Sequence, residues 1–212
     1  MDTAFFLGAN SSRGFYSLYD ELIDTKTAET IYILKGCPGC GKSSLMKRVA
    51  TQAKERGFAV ERIYCSSDPD SLDGIILPEL GKAIVDGTAP HVVEPSYPLA
   101  VERYINLGQF ADSHAIRRKK ALITDIKDKY SAYFSKIYRL TSAAGRIDNA
   151  LFDTLLPGIS TEKLHTRAHG IIKREFTSDG VKAQSKNRFL SAISPKGYVA
   201  LSAYRMHLRF QA

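Results

Sequence analysis

The residues Gly36-Cys-Pro-Gly-Cys-Gly-Lys-Ser43 admit two chemistries. Cys37 and Cys40 have the Cys-x-x-Cys spacing of a redox dithiol, or of half a zinc site. The same eight residues fit Gly-x-x-x-x-Gly-Lys-Ser/Thr, the phosphate-binding P-loop. A zinc site needs four ligands, and Cys65 is the one further cysteine, with no paired histidine nearby. A phosphate cradle needs glycines, whose missing Cβ lets backbone N–H groups converge on oxyanions, and a helix start directly after them. The flanks supply that frame. Thr30-Ile-Tyr-Ile-Leu-Lys35 has the composition of a buried strand, while Ser43–Arg56 places Leu45, Met46, Val49 and Ala53 at helical spacing and stops at Gly57. The expectation is phosphate. Gly36, Cys37, Pro38, Gly39, Cys40, Gly41, Lys42, Ser43 and Ser44 then form a nucleotide cradle. Lys42 reaches the β- and γ-phosphates as a catalytic cation, and the Ser43 hydroxyl ligates Mg²⁺.

Such a site also needs a carboxylate at the end of a neighbouring strand to hold the metal's water shell. Asp86 ends the apolar run Lys82-Ala-Ile-Val and is the candidate second metal residue; the other reading makes Asp86-Gly87 a turn. No glutamate follows Asp86, so the usual water-activating neighbour is missing. Glu79, His91 and Glu94 remain candidates, with Glu94 retained as the catalytic one. The guanine-reading pattern Asn-Lys-x-Asp is absent, which leaves adenine as the expected base and Mg·ATP as the expected ligand.

The elements that must position these groups can be read from periodicity. Phe58–Cys65 is a second expected strand, Asp68–Gly74 a turn into a short Ile75–Leu80 segment, and Lys82–Asp86 a third strand. This order predicts an α/β P-loop nucleoside-triphosphate hydrolase fold, with a mostly parallel sheet and an α-helical insertion. Pro90, Pro95 and Pro98 mark a connection, dividing an α/β core at 1–98 from the helical insertion at 99–180. From Asp112 to Ala144 there is no Gly or Pro. Ile116, Ile123, Ile126, Tyr130, Tyr133, Ile137 and Leu140 form one apolar stripe there. Gly145 is expected to break this helix, with Ile147–Leu156 and Thr161–Phe176 as shorter helices that cover the stripe.

With 44% hydrophobic and 25% charged residues among 212, the chain has the composition of a globular protein. No apolar run is long enough to span a membrane, and the acidic Met-Asp start does not suit a signal peptide. An odd count of three cysteines argues against a disulfide scaffold, and a cytoplasmic location is expected. Of the net charge of +8, residues 112–176 hold +6, as 13 Lys and Arg against 7 Asp and Glu. A protein or nucleic-acid partner is one use of that segment. Without interleaved aromatic motifs, a solvated helical face is the plainer account.

The tail repeats the head. FLGANSSRGFYSL at 6–18 and FLSAISPKGYVAL at 189–201 align without gaps at an offset of 183, with six identities in thirteen positions. Residues 181–212 are therefore expected to open a second repeat, whose own glycine loop would fall near position 219, beyond the last residue.

FFLGANSSRGF, ILKGCPGCGKSSLMK, CSSDPDSLDGIILPEL and AIVDGTAPHVVEP together resemble an uncharacterised, duplicated family of P-loop ATPases found mainly in Gram-positive bacteria. The likeness is strongest over residues 4–110, and this chain is similar to the family's first half. It implies ATP binding at Gly36–Ser44 and ATPase activity, and it names no cellular role. After about position 200 the chain departs from the pattern, since YRMHLRFQA does not continue into a strand and a second loop. Two other function classes stay open. A small-molecule or nucleotide kinase would use Arg117 and Arg118 as a phosphate-clamping lid. A nucleotide-gated binding module without turnover would engage nucleic acid or protein through the basic helices.

Overall fold

The computed structural model describes residues 3–90, 92–175 and 186–201. In chain order the strands and helices of the first half are β1 (Thr3–Phe5), β2 (Gly8–Ser11), β3 (Gly14–Ser17), β4 (Thr30–Lys35), α1 (Lys42–Glu55), β5 (Glu61–Tyr64), β6 (Leu72–Leu77), β7 (Lys82–Asp86) and β8 (Glu102–Asn106). The second half adds α2 (Ser113–Arg118), α3 (Lys120–Leu155), α4 (Thr161–Glu175), β9 (Ser191–Ser194) and β10 (Gly197–Ala200).

Six strands form one sheet in the order β1-β5-β6-β7-β4-β8. The pairs β1–β5, β4–β7 and β4–β8 are parallel, and only the meander β5-β6-β7 is antiparallel. The chain is thus α/β with a mostly parallel sheet. One sheet face is covered by α1, whose Met46, Ala50 and Ala53 pack on Leu34, Val60, Leu72, Ile75 and Leu77. The opposite face is covered by the segment after β3, whose Tyr19 and Leu22 lie on Ile31, Ile33, Ile63, Ile76 and Val85. Each fully buried Leu, Ile or Met of these layers stabilises the fold by roughly 1.5–3 kcal/mol.

Three sequence expectations change. The Asp68–Gly74 turn gives way early, because β6 runs Leu72–Leu77 and includes Asp73 and Gly74, while Pro78–Leu80 is a single 3₁₀ turn. The sheet also continues past residue 98: β8 is its edge strand on β4, and the helical run starts only at Ser113. Charged side chains on an edge strand are a common protection against further pairing, which is why Glu-Arg-Tyr-Ile-Asn does not look like a core strand.

The third change concerns Gly145. It does not break the helix; α3 is one rod of 36 residues. A Cβ at Gly145 would lie 2.4 Å from Cβ of Ser12. The glycine therefore serves the close passage of α3 over the turn between β2 and β3. One consequence is that Ile147–Leu155 continue the rod and do not fold back on the stripe. Ile123, Ile126, Tyr130, Tyr133, Ile137 and Leu140 all remain exposed, contrary to the expected cover. No helix among the described residues is long and apolar enough to cross a membrane.

Head and tail have the same shape. β2–β3 and β9–β10 are both tight antiparallel hairpins, with Gly14 at φ 95° and Gly197 at φ 92°, where a side chain would be strained. The Ser11 hydroxyl donates to the Gly14 carbonyl at 2.8 Å, and Ser194 donates to Gly197 at 3.1 Å. Leu18 N–H donates to the Leu7 carbonyl at 2.7 Å, and Leu201 N–H to Leu190 at 2.8 Å. The hairpins also meet through equivalent positions: Phe6 and Phe189 exchange backbone hydrogen bonds of 2.8 and 3.1 Å. Pairing between a residue and its own counterpart is the contact a local two-fold produces. The final residues, Ala203–Ala212, lie outside the described residues.

Asn10 ties three elements together. Its side-chain amide donates to the Ile193 carbonyl at 2.9 Å, and its oxygen accepts from the Tyr138 hydroxyl of α3 at 2.9 Å. It is 7% exposed, so neither partner is readily replaced by water. Asn10→Ala is expected to lower unfolding stability by about 2 kcal/mol, roughly the loss of two hydrogen bonds. Denaturant unfolding measures this, and proteolysis within 189–201 should accelerate in the same variant.

Candidate functional site

The glycine loop and Asp86 meet because β4 and β7 are parallel neighbours. Leu34 stands opposite Asp86 in their register, so the loop leaving β4 and the carboxylate ending β7 open on the same sheet edge. Ligands of open α/β sheets bind at that carboxyl end. Gly39 at φ 78° and Gly41 at φ 92° turn the chain into α1, and Gly41 occupies its N-cap position. The space at Gly36 is tight, since a Cβ there would lie 2.6 Å from the Cys40 sulfur.

Lys42 opens α1 and is buried at 9% exposure. Its ammonium donates to the carbonyls of Gly36 at 3.0 Å and Cys37 at 3.2 Å, and stands 3.6 Å from Oδ2 of Asp86. A buried cation needs such partners, since desolvation costs several kcal/mol per ion. Asp86 meets both sequence readings. Its Oδ1 accepts from the N–H of Thr88 at 2.9 Å and from the Thr88 hydroxyl at 2.6 Å, which makes the turn, while Oδ2 faces the lysine. Oγ of Ser43 accepts from the Leu72 N–H at 2.9 Å, which fixes it between α1 and β6.

These groups line a cleft of about 440 Å³. Pro38, Gly39, Gly41, Lys42, Ser43 and Ser44 line it together with Asp73, Asp86 and Tyr130 of α3. Cys37 instead lines a second hollow of about 410 Å³ with Gly108, Arg117 and Lys120. Cys37, Cys40 and Cys65 are all free thiols. The Cys40 sulfur tucks under the loop, 4.0 Å from the Lys42 ammonium.

The candidates for activating water fall elsewhere. Glu94 is not among the cleft residues; it accepts from the Tyr104 hydroxyl at 2.8 Å and pairs with Lys35 at 3.6 Å. Glu79 binds the N–H of Ala59, in the link between α1 and β5, at 3.0 Å. His91 lies outside the described residues. Arg118 does not line either hollow.

Sequence reasoning passed over Asp73. This carboxylate is 6% exposed, lines the cleft, and its Oδ2 accepts from the Tyr19 hydroxyl at 3.1 Å. Its Asp-Pro-Asp-Ser-Leu-Asp-Gly context has turn composition, which hid it. The one available signal was the apolar run after it, extended backward by two residues. Asp73 shapes its surroundings. Burial, and then the Asp73 charge, push the Tyr19 hydroxyl well above its ordinary range. The same two causes push the Cys65 thiol up to about 12.

With its thiol pushed up in this way, Cys65 is expected to react slowly with iodoacetamide at pH 8. Asp73→Asn removes the second of those causes, so it should lower the Cys65 pKa and speed alkylation in the native protein. Peptide-resolved alkylation rates at pH 8 check this; an unchanged Cys65 rate would mean the Asp73 charge does not reach the thiol.

Comparison of the chain with protein-family models, with curated proteins and with solved structures returns no match, so the reading of this cleft rests on its geometry.

Proposed function

We propose that the chain is a Mg²⁺-dependent ATP-binding protein that hydrolyses ATP at the Gly36–Ser44 loop. The observation that carries this reading is the buried Lys42 ammonium, held at a helix start by two loop carbonyls and Asp86. Phosphate oxygens are natural replacements for those partners, and the first N–H groups of α1 add donors aimed the same way. The loop then acts as a P-loop. The cleft has the volume of a nucleotide-sized site.

The residues also suit the metal. Ser43 Oγ and the Asp86 carboxylate are oxygen donors lining the cleft. Among the described residues no group of three or more His, Cys, Asp or Glu is placed to hold an ion alone. Mg²⁺ that keeps waters and shares phosphate oxygens asks for only one or two protein ligands. When bound, it would neutralise charge on the β- and γ-phosphates.

Kinase activity is the second reading, favoured by Arg117. That arginine and Lys120 line the hollow beside Cys37, where a phosphoryl acceptor would be held next to the loop. Phosphate transfer to a panel of hydroxyl acceptors, faster than to water, would select it.

Removing the ammonium in Lys42→Ala deletes a charge-assisted contact of about 1.5–3 kcal/mol, a roughly ten- to hundredfold loss of ATP affinity. Asp86→Asn keeps the size and the turn but loses the charge, so its affinity loss should appear with Mg²⁺ and nearly vanish in EDTA. Equilibrium binding of a fluorescent ATP analogue measures both. Wild-type affinity in Lys42→Ala would end the P-loop reading.

A further inference from the structure

β6 does not pair regularly with β5. Ile63 stands opposite Gly74 and Tyr64 opposite Leu72, which leaves Asp73 as the extra residue of a β-bulge. Side-chain directions show its effect. Leu77 and Ile75 pack in the layer under α1, and Ile76 packs in the opposite layer. Strict alternation would send Asp73 toward α1 and Leu72 away from it. Leu72 instead lies in the α1 layer, and Asp73 meets Tyr19 of the other. The bulge has turned one carboxylate, and bulges beside active sites re-aim side chains in this way.

The direction matters because of what lies next to it. Gly74 pairs with Val85, so Asp73 and Asp86 are the next residues outward on adjacent strands, and both line the cleft. Asp86 is committed to Lys42 and Thr88. Asp73 lies one strand farther from the glycine loop than Asp86 and lines the same cleft. Burying a carboxylate there costs stability unless it is held, and the Tyr19 hydroxyl holds it.

Resting on the ATP-hydrolysis reading, we propose that Asp73 is the general base that activates the attacking water, with Tyr19 as its positioning residue. The water oxygen forms a bond to the γ-phosphorus as the bond from that phosphorus to the β–γ bridging oxygen breaks. The bridging electron pair leaves with ADP, and the water proton passes to the Asp73 carboxylate. Asp73 thereby fills the role for which Asp86 has no neighbouring glutamate.

The test measures ATP affinity, kcat, KM and thermal unfolding on the full chain for wild type, Asp73→Asn, Asp73→Glu and Tyr19→Phe. A general base contributes about 10²–10⁴-fold. Asp73→Asn is expected to lose kcat by that factor, with ATP affinity nearly unchanged. Tyr19→Phe should lower kcat while leaving KM in place, and Asp73→Glu should recover part of the rate lost in the amide. Retained affinity separates a loss of chemistry from a loss of fold. An Asp73→Asn chain that binds and hydrolyses ATP like wild type overturns the proposal alone. So does a rate loss matched by lost affinity. A wild-type chain that binds ATP and releases no phosphate also overturns it, and leaves the nucleotide-binding reading standing; absence of ATP binding removes both.

Discussion

The buried Lys42 ammonium is held by one carboxylate and two loop carbonyls, and the centre of the molecule is arranged around it. Desolvating that charge costs several kcal/mol, which Asp86 and the Gly36 and Cys37 carbonyls offset. That demand fixes the order of the central strands. The strand that feeds the glycine loop must lie beside, and parallel to, the strand that ends in the aspartate, and β4 and β7 do so in register. The loop's glycines, the start of α1 and the apolar layer under that helix follow from the same requirement: the backbone must turn sharply, and the turn must be anchored. Met46, at 0% exposure, and Ala50, at 1%, provide the anchor one and two turns into the helix.

The antiparallel meander β5-β6-β7 is the part of the sheet that departs from parallel order. Its short links bring β6 alongside β7 with opposite direction, so the beginning of β6 and the end of β7 share one edge. A parallel strand in that place would present its C-terminal end there instead. The antiparallel arrangement sets Asp73 and Asp86 at adjacent positions of neighbouring strands, and the bulge turns the Asp73 carboxylate toward Tyr19. The cost is a buried acid, and Tyr19, delivered by the segment that covers the opposite sheet face, answers it with a hydroxyl. Thus the layer that closes the core also supplies the cleft's polar support.

Residues 30–57 were legible in the sequence because strand, glycine loop and helix each carry a strong and different pattern. The bounds of β4 coincide with the expected Thr30–Lys35, and α1 differs from the expected helix by one residue at each end. The hairpin likeness was legible through spacing, since Ser and Gly recur at matching offsets and both turns need a positive φ. Asp73 was hidden because Asp and Gly signal turns, and a bulge is a local irregularity that uses the same residues. β8 was hidden because edge strands tolerate charge. Gly145 misled for a related reason: a missing Cβ permits a helix break, and it equally permits a neighbour's backbone to come close. Only the three-dimensional position of Ser12 decides between the two. The stripe on α3 was visible, whereas its exposure was not, because periodicity defines a face and says nothing of what covers it.

Amide hydrogen exchange in the presence and absence of Mg·ATP reports where a nucleotide sits on the chain without altering any residue. Exchange should slow across residues 36–44, where loop N–H groups would donate to phosphate, and at the Asp86–Thr88 turn, with little change in the β9–β10 hairpin. Unchanged exchange through residues 36–44 at saturating nucleotide, or protection confined to another part of the chain, would contradict binding at the Gly36–Ser44 loop.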